Sequence, residues 1–225
     1  MIETKNLKRT FRSGQLETPV LKNINFHATD GEFIAIMGRS GAGKSTFLYQ
    51  LGLLDEPTSG EIIIDHQPTH RLTAKEKTSF RLNQFGFVFQ DYALLPEMLA
   101  LENVALPLLM QNLDRRAAYA KAEAALRSVR LDQQLDHLPS QLSGGEQQRV
   151  SIARAVAHQP KILFADEPTA NLDNESSRTI MKIFQELHAA GQTIIMVTHE
   201  DEYARLAEKI VQMDDGQIVS VTKNR

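Results

Sequence analysis

Apolar residues recur along this chain in two spacings, and the elements follow from where each holds. Three stretches that read as strands open it, Ile2 to Leu7, Val20 to Ala28 and Phe33 to Met37, separated by the turn signals Ser13-Gly14 and Asp30-Gly31. They predict a small strand-rich region. Phe47, Leu48, Leu51 and Leu54 then recur at helical spacing. A turn over residues 54–60 leads to a strand at Glu61-Ile62-Ile63-Ile64, and Phe85 to Phe89 reads as another short strand ending at Gln90. From Asp91 to about Pro139 the pattern becomes helical, with an alanine-rich stretch at Asp114 to Arg130 that places Glu123 and Arg127 four residues apart. A helix starts at Leu142-Ser143-Gly144-Gly145-Glu146 and runs to about Ala157, followed by a strand at Lys161 to Asp166. Asn174 to Ala190 is amphipathic, with Ile180, Ile183, Phe184 and Leu187 on one face and Gly191 closing it. Thr193 to Val197 is an apolar strand, and Asp214-Asp215-Gly216 turns a hairpin between Ile210–Met213 and Gln217–Val221. Strands alternating with helices through the second half predict a mainly parallel sheet in an α/β chain.

Composition narrows the setting. The chain has 225 residues, 42% of them hydrophobic and 24% charged, which is ordinary for a globular protein with a substantial core. A net charge of -3 gives no overall basic footprint, so nucleic acid is not an expected partner. The absence of cysteine excludes a disulfide framework or a thiolate site. The first residues lack the apolar core of a signal peptide. The most apolar long stretch, Tyr92 to Met110, contains Pro96, Glu97, Glu102, Asn103 and Pro107, which would be costly in a bilayer. Leu94 to Met110 is still more apolar than a solvated surface needs. It is read either as helices packing on one another or as an exposed docking groove.

One stretch carries clear chemistry: Gly38-Arg39-Ser40-Gly41-Ala42-Gly43-Lys44-Ser45-Thr46. Glycines let the backbone curl so that successive N–H groups face a phosphate. Lys44 supplies a charge for the β- and γ-phosphates, and Ser45 a hydroxyl for Mg²⁺. A buried strand before the loop and a helix after it add an N-terminal dipole. The stretch predicts a nucleoside triphosphate site. The tripeptide Asp-Glu-Pro occurs twice, at Asp55 and at Asp166. The first copy sits among turn formers after a helix, whereas the second follows the apolar run Ile162-Leu163-Phe164-Ala165, at the carboxyl end of a strand where parallel sheets put their chemistry. Ser143 and Glu146 have capping-box spacing, but Gly144 and Gly145 cost helix stability and suit a backbone that something approaches closely. His66 and His70 are parted by Pro68 and are not expected to share a helix face as metal ligands.

In chain order, the phosphate loop, Gln90, Leu142-Ser143-Gly144-Gly145-Glu146, Asp166-Glu167 and His199 resemble the ATP-binding subunits of ABC transporters, over almost the whole chain. Gly86-Phe87-Val88-Phe89-Gln90, Glu102-Asn103-Val104 and Ala165 to Asp173 look most like the lipoprotein-releasing and macrolide-export type. The resemblance implies a P-loop NTPase (RecA-like) fold: a mainly parallel core sheet, an N-terminal antiparallel β subdomain and an inserted helical subdomain. It implies one ABC ATPase domain over 1–225, with the β subdomain and core at 1–90 and 159–225 and the helical part at about 91–158.

The resemblance also implies roles. Residues 38–46 bind ATP; Ser45, Gln90 and Asp166 serve Mg²⁺; Glu167 is the general base; Gln90 reports nucleotide occupancy; His199 contacts the γ-phosphate. Ser143, Gly144 and Gly145 face the ATP of a second copy, and Asp173, also an N-cap candidate, lies at the contact between copies. Two positions depart from the usual pattern. Arg39 stands where proline is frequent, and Phe11 is the candidate for an adenine-stacking position that usually holds tyrosine. The expected partners are a second copy and separate membrane permease subunits, with the chain lying peripherally on the cytoplasmic face. Cargo is unassigned, a role transmitting force to envelope enzymes is the alternative, and a DNA-repair ATPase fits less well because the short Lys44-to-Ser143 interval has no sustained heptads.

Overall fold

The computed structural model describes residues 1–14 and 16–224. In chain order the elements are strands β1 (Ile2–Ser13), β2 (Leu16–Ala28) and β3 (Phe33–Gly38), helix α1 (Lys44–Leu51), strands β4 (Ser59–Ile64) and β5 (Gln67–Pro68), helix α2 (Ala74–Gln84), strand β6 (Phe85–Val88), helices α3 (Ala100–Met110), α4 (Arg115–Ser128) and α5 (Gly144–Val156), strand β7 (Ile162–Asp166), helix α6 (Asn174–Ala189), strand β8 (Thr193–Val197), helix α7 (Asp201–Ala204), and strands β9 (Lys209–Asp214) and β10 (Gln217–Lys223). They fall into two compact units, one made of Met1–Ser79 with the chain from Gly191 on, the other of Phe80–Ala190.

In the first unit, β1 pairs antiparallel with β2 and with β4, and β4 with β5. β1 and β2 are longer than their apolar cores suggest, because Lys8, Arg9, Thr10 and Arg12 extend the ladder without adding apolar positions. A second group of strands centres on β3, which runs parallel to both β8 and β9, while β10 returns antiparallel to β9. Phe33 to Met37 and Thr193 to Val197 are buried throughout. That is how parallel strands covered on both faces read in sequence. Helix α1 ends at Leu51 rather than Leu54, and Leu54 is exposed. Gly52 follows the last helical residue, and Leu53 adopts a positive φ of 56°.

In the second unit, β6 and β7 pair in parallel, from Phe85 opposite Ile162 to Val88 opposite Ala165. Phe85, Phe87 and Phe164 pack edge-on and stacked across this pair. Helix α3 buries Ala100, Val104, Ala105 and Leu108, and α4 buries Ala118, Ala122 and Leu126 at i,i+4 intervals. Asp114 caps α4 by accepting from the Ala117 amide at 3.0 Å. In the Leu94–Met110 stretch one side of α3 is core, as the packing reading expects, while Leu95 and Met110 are exposed. Helix α2 was not predicted, because none of its side chains is buried.

Candidate active site

The phosphate loop joins β3 to α1 in the first unit. Gly38, Gly41 and Gly43 have φ of 153°, 79° and 92°. A Cβ at Gly43 would stand 2.9 Å from the Val20 carbonyl oxygen, so both dihedral and space demand glycine there. Within the curl, the Ala42 amide and the Lys44 ammonium both donate to the Arg39 carbonyl, each at 3.1 Å. Lys44 is only 7% exposed. A buried cation whose hydrogen bond goes to a carbonyl rather than a carboxylate is a standing demand for an anion. Ser45 and Thr46 lie half-buried in the first turn of α1.

Arg39 points away from this curl. Its guanidinium donates to both Asp214 carboxylate oxygens at 3.1 Å, on an exposed surface. The hairpin turn that carries Asp214 is itself built against the loop, since the Gly216 amide donates to the Ala42 carbonyl at 3.2 Å. Val197 of β8 pairs with Ile36 of β3, which brings His199 to the same end of these strands as Gly38. His199 is exposed there. Phe11, on the outer half of β1, is 44% exposed. The Arg9 guanidinium carbon lies 4.4 Å from its ring centroid.

The other predicted residues belong to the second unit. β7 ends on Asp166, 7% exposed, and the next residue, Glu167, is left-handed with φ 45°. A non-glycine residue in that region stores strain and aims its side chain out of line with the strand. The register of β6 on β7 sends Gln90 toward the same end as Glu167. Residues that sequence reasoning missed hold this end together. Gln148 of α5, fully buried, donates to the Pro168 carbonyl at 2.7 Å and the Phe89 carbonyl at 3.3 Å. Asn171 donates to the Gln90 carbonyl at 3.0 Å. Arg154 donates to the carbonyls of Tyr92 at 3.0 Å and Ala93 at 2.6 Å, both residues having positive φ. Burial lowers the Arg154 pKa from its ordinary value. Asn103, also fully buried, accepts from the Leu95 amide at 2.8 Å and donates to the Met98 carbonyl at 2.9 Å, fixing the turn before α3. No local pattern marks the roles of Gln148, Arg154 and Asn171, because each acts on backbone distant in sequence, and Asn103 acts across a turn five to eight residues back.

Ser143 caps α5 as its spacing predicts. Its amide and hydroxyl donate to Glu146 at 2.8 and 2.7 Å, and its hydroxyl accepts from the Glu146 amide at 3.3 Å. These bonds from Ser143 hold the Glu146 carboxyl below its usual range. The glycines that follow are close-approach sites within the chain itself: a Cβ at Gly144 would lie 2.9 Å from the Tyr92 hydroxyl, and one at Gly145 2.7 Å from the Ser176 hydroxyl. Asp173 caps α6, accepting from the Glu175 and Ser176 amides at 3.0 and 2.9 Å and from the Ser176 hydroxyl at 2.7 Å. Hydrogen bonds from Ser176 lower its pKa.

The buried Lys44 and the glycine curl of the first unit fit phosphate. In the second, Asp166 is a carboxylate of the kind that Mg²⁺ takes, and among the described residues no group of three or more His, Cys, Asp and Glu could hold a metal unaided. Mg²⁺ is commonly held by one or two carboxylates with the substrate's phosphates completing its shell. His66 lies in a left-handed turn and Pro68 in β5, so His66 and His70 share no helix.

The protein-family model described as ABC transporter matches residues 21–170, two-thirds of the chain. The chain belongs to the ABC transporter family. It is an ATP-binding cassette and an ATPase. It is 47% identical to the uncharacterized ABC transporter ATP-binding protein MJ1508 of Methanocaldococcus jannaschii, covering 98% of this chain and 99% of that one. It is 43% identical over its full length to the macrolide export ATP-binding/permease protein MacB of Brucella melitensis, of which it spans 35%. Among solved structures, the ATP-binding cassette MJ0796 in a dimeric post-hydrolysis state bound to ADP and Pi is 41% identical, with a TM-score of 0.93 over 100% of this chain and 99% of that one. The cassette thus has the ABC ATPase fold, with an antiparallel N-terminal sheet, mainly parallel core strands and a helical region.

Proposed function

We propose that the chain is the energy-supplying subunit of a membrane transporter, acting as a pair of copies that close over two ATP molecules and reopen after hydrolysis. The observation that carries this reading is the full-length likeness to a cassette solved as a dimer with ADP and Pi. Bound Mg²⁺ supplies charge neutralisation on the phosphates. Lys44 and the loop amides from Gly38 to Thr46 hold the phosphates, and Ser45, Asp166 and Gln90 hold the metal's shell. Glu167 takes the proton of the attacking water through its carboxylate, a role for which its strained backbone sets the direction. His199 contacts the γ-phosphate as a hydrogen-bond donor. Ser143, Gly144 and Gly145 close the site from the second copy, with Asp173 at that contact. Phe11 stacks on adenine; its 44% exposure supports the role.

The partner would be a separate permease. The MacB relatives carry ATP-binding and permease functions in one longer protein, and no helix of the described residues is long and apolar enough to cross a membrane. The chain would then lie peripherally on the cytoplasmic face. The Leu94–Met110 stretch and the strand end at Gln90 are our candidate docking surface, supported by exposed Leu95 and Met110 and by the turn that Asn103 fixes. Lipoprotein release and macrolide or peptide export are the cargo classes that the resemblance favours, and direction and cargo would be set by the permease.

The test is Glu167→Gln. This variant is expected to bind ATP, to lose most of its turnover and to elute as a dimer only with ATP. Normal phosphate release would remove Glu167 from its role, and a form that stays monomeric with ATP would remove the paired closure. Introducing a charge at Leu95 (Leu95→Glu) should leave basal turnover intact and abolish stimulation by the permease that copurifies.

A further inference from the structure

We propose that Arg9 is a positioning residue for the ring of Phe11, braced from behind by Asp55, and that the pair makes the site select purine nucleotides. The inference rests on the reading of Phe11 as the base-stacking residue. Phenylalanine has no hydroxyl with which to anchor its ring, so an exposed Phe11 would sample several rotamers unless something covers one face. Arg9, two residues earlier on β1, does so, with its guanidinium carbon 4.4 Å from the ring centroid. Phe11 is 44% exposed with Arg9 in place, so the ring keeps area for a ligand.

Arg9 is in turn held. Its Nη2 donates to Asp55 Oδ1 at 2.7 Å, with both side chains about three-quarters buried. Asp55 Oδ2 accepts from Gln50 Nε2 at 3.0 Å, and Gln50 is a fully buried residue of α1, the helix that begins at Lys44. Three residues after Asp55, the Thr58 hydroxyl accepts from the Thr10 amide at 2.9 Å and donates to the Thr10 carbonyl at 3.3 Å. The Thr58 amide donates to the Lys8 carbonyl at 2.9 Å, so β1 is fixed on both sides of Arg9. Arg9 Nε is buried with no hydrogen-bond partner, so the guanidinium keeps its place on the ring while forgoing a bond. The chain Gln50–Asp55–Arg9–Phe11 therefore links the phosphate helix to the base platform. Holding the ring in place removes the rotamer loss otherwise charged against binding. A cation on one face also draws electron density from the other, which favours stacking of an electron-rich purine.

Binding of ADP and of UDP to the full chain, by calorimetry, tests this without hydrolysis or ATP-driven pairing. Phe11→Ala is expected to collapse the preference for ADP. Arg9→Met and Asp55→Asn are expected to weaken ADP by roughly 3- to 10-fold, the range of a partly desolvated cation–π contact, with UDP unchanged. Arg9→Lys should recover part of the loss, and Phe11→Ala with Arg9→Met should be no worse than Phe11→Ala alone. Thermal melting identifies any variant that fails to fold, in which case Arg9→Lys and Asp55→Asn carry the test. If Phe11→Ala weakens ADP while Arg9→Met and Asp55→Asn do not, the role of Arg9 is overturned and that of Phe11 stands. If Phe11→Ala binds ADP normally, both fall. Equal weakening of ADP and UDP by Arg9→Met would reduce Arg9 to a fold-stabilising residue.

Discussion

Asp55-Glu56-Pro57-Thr58 and Asp166-Glu167-Pro168-Thr169 are the same four residues in two settings. The first follows a helix and lies against β1: Asp55 accepts from Arg9 and Gln50, the exposed Glu56 pairs with the largely covered Lys77 at 2.6 Å, and Thr58 ties down Thr10. The second ends a buried parallel strand. There the aspartate is almost wholly covered, the glutamate is left-handed and the proline carbonyl is held by a buried glutamine. Identical side chains thus brace a strand in one place and stand at the carboxyl end of a parallel strand in the other, where the proposed chemistry needs them. What differs is the backbone that delivers them, since a strand with no room on either face forces its last carboxylates forward, whereas a turn lets them fold back onto neighbouring cations.

The sharpest way to break this contrast is to make the same change in both copies. Glu167→Gln is expected to lower kcat by about 100-fold or more, the scale of a lost general base, while Glu56→Gln stays within about twofold of the parent in phosphate release. A comparable loss from both would mean that the first copy also serves catalysis. The supports come next. Gln148→Leu strips the donor from two carbonyls and is expected to cost roughly 2–4 kcal/mol in urea unfolding, with reduced turnover. Thr58→Val, which removes exposed hydrogen bonds from the first copy, is expected to cost about 0.5–1.5 kcal/mol with turnover kept.

The smallest effect separates the copies by pH. His158 donates from Nε2 to the Phe85 carbonyl at 2.9 Å, at the start of the strand beside β7. Burial lowers its pKa, against the opposing pull of that hydrogen bond, from the ordinary 6.5. The unfolded chain therefore binds this proton more readily, and the contribution, full above 6.5, is lost as pH falls below it. Glu56, near the first copy, is lowered from 4.5 by its hydrogen bond to Lys77, so its contribution is lost only as pH drops through and below 4.5. Urea midpoints at pH 7.5, 5.5 and 4 should show a shallower fall above pH 5 for His158→Gln, and for Glu56→Gln a difference confined to the most acidic point.

The legible parts of the fold were those where burial leaves a mark on neighbouring residues. β3, β7 and β8 are uninterrupted apolar runs, α6 has one apolar face, and the caps at Ser143 and Asp173 lie where their side chains suggest. Helix α2 left no such trace, although Thr73 and Glu76 announce its start by a capping box in which the Thr73 amide and hydroxyl both donate to Glu76 at 2.7 Å. At the site, the side chains offered to ligands could be named from motifs, but the residues that orient them could not. Asn103, Gln148, Arg154 and Asn171 hold carbonyls several to many residues away, and Glu167's left-handed backbone leaves no mark on the residue types around it. For the glycines after Ser143, close approach is explained within the chain by Tyr92 and Ser176.

The strand that delivers the phosphate loop has both of its paired neighbours, β8 and β9, more than 150 residues further on, and the turn at Gly216 is hydrogen-bonded to the loop itself. During synthesis, then, the complete nucleotide motif is made long before either strand that pairs with β3, and both of those strands lie in the last seventh of this sequence. At about 5–20 residues per second the wait is on the order of ten seconds or more. A fragment stopped before β8 carries every residue of the loop and lacks both strands that pair with β3, so the ability to capture nucleotide is expected to arrive late and together with the finished sheet.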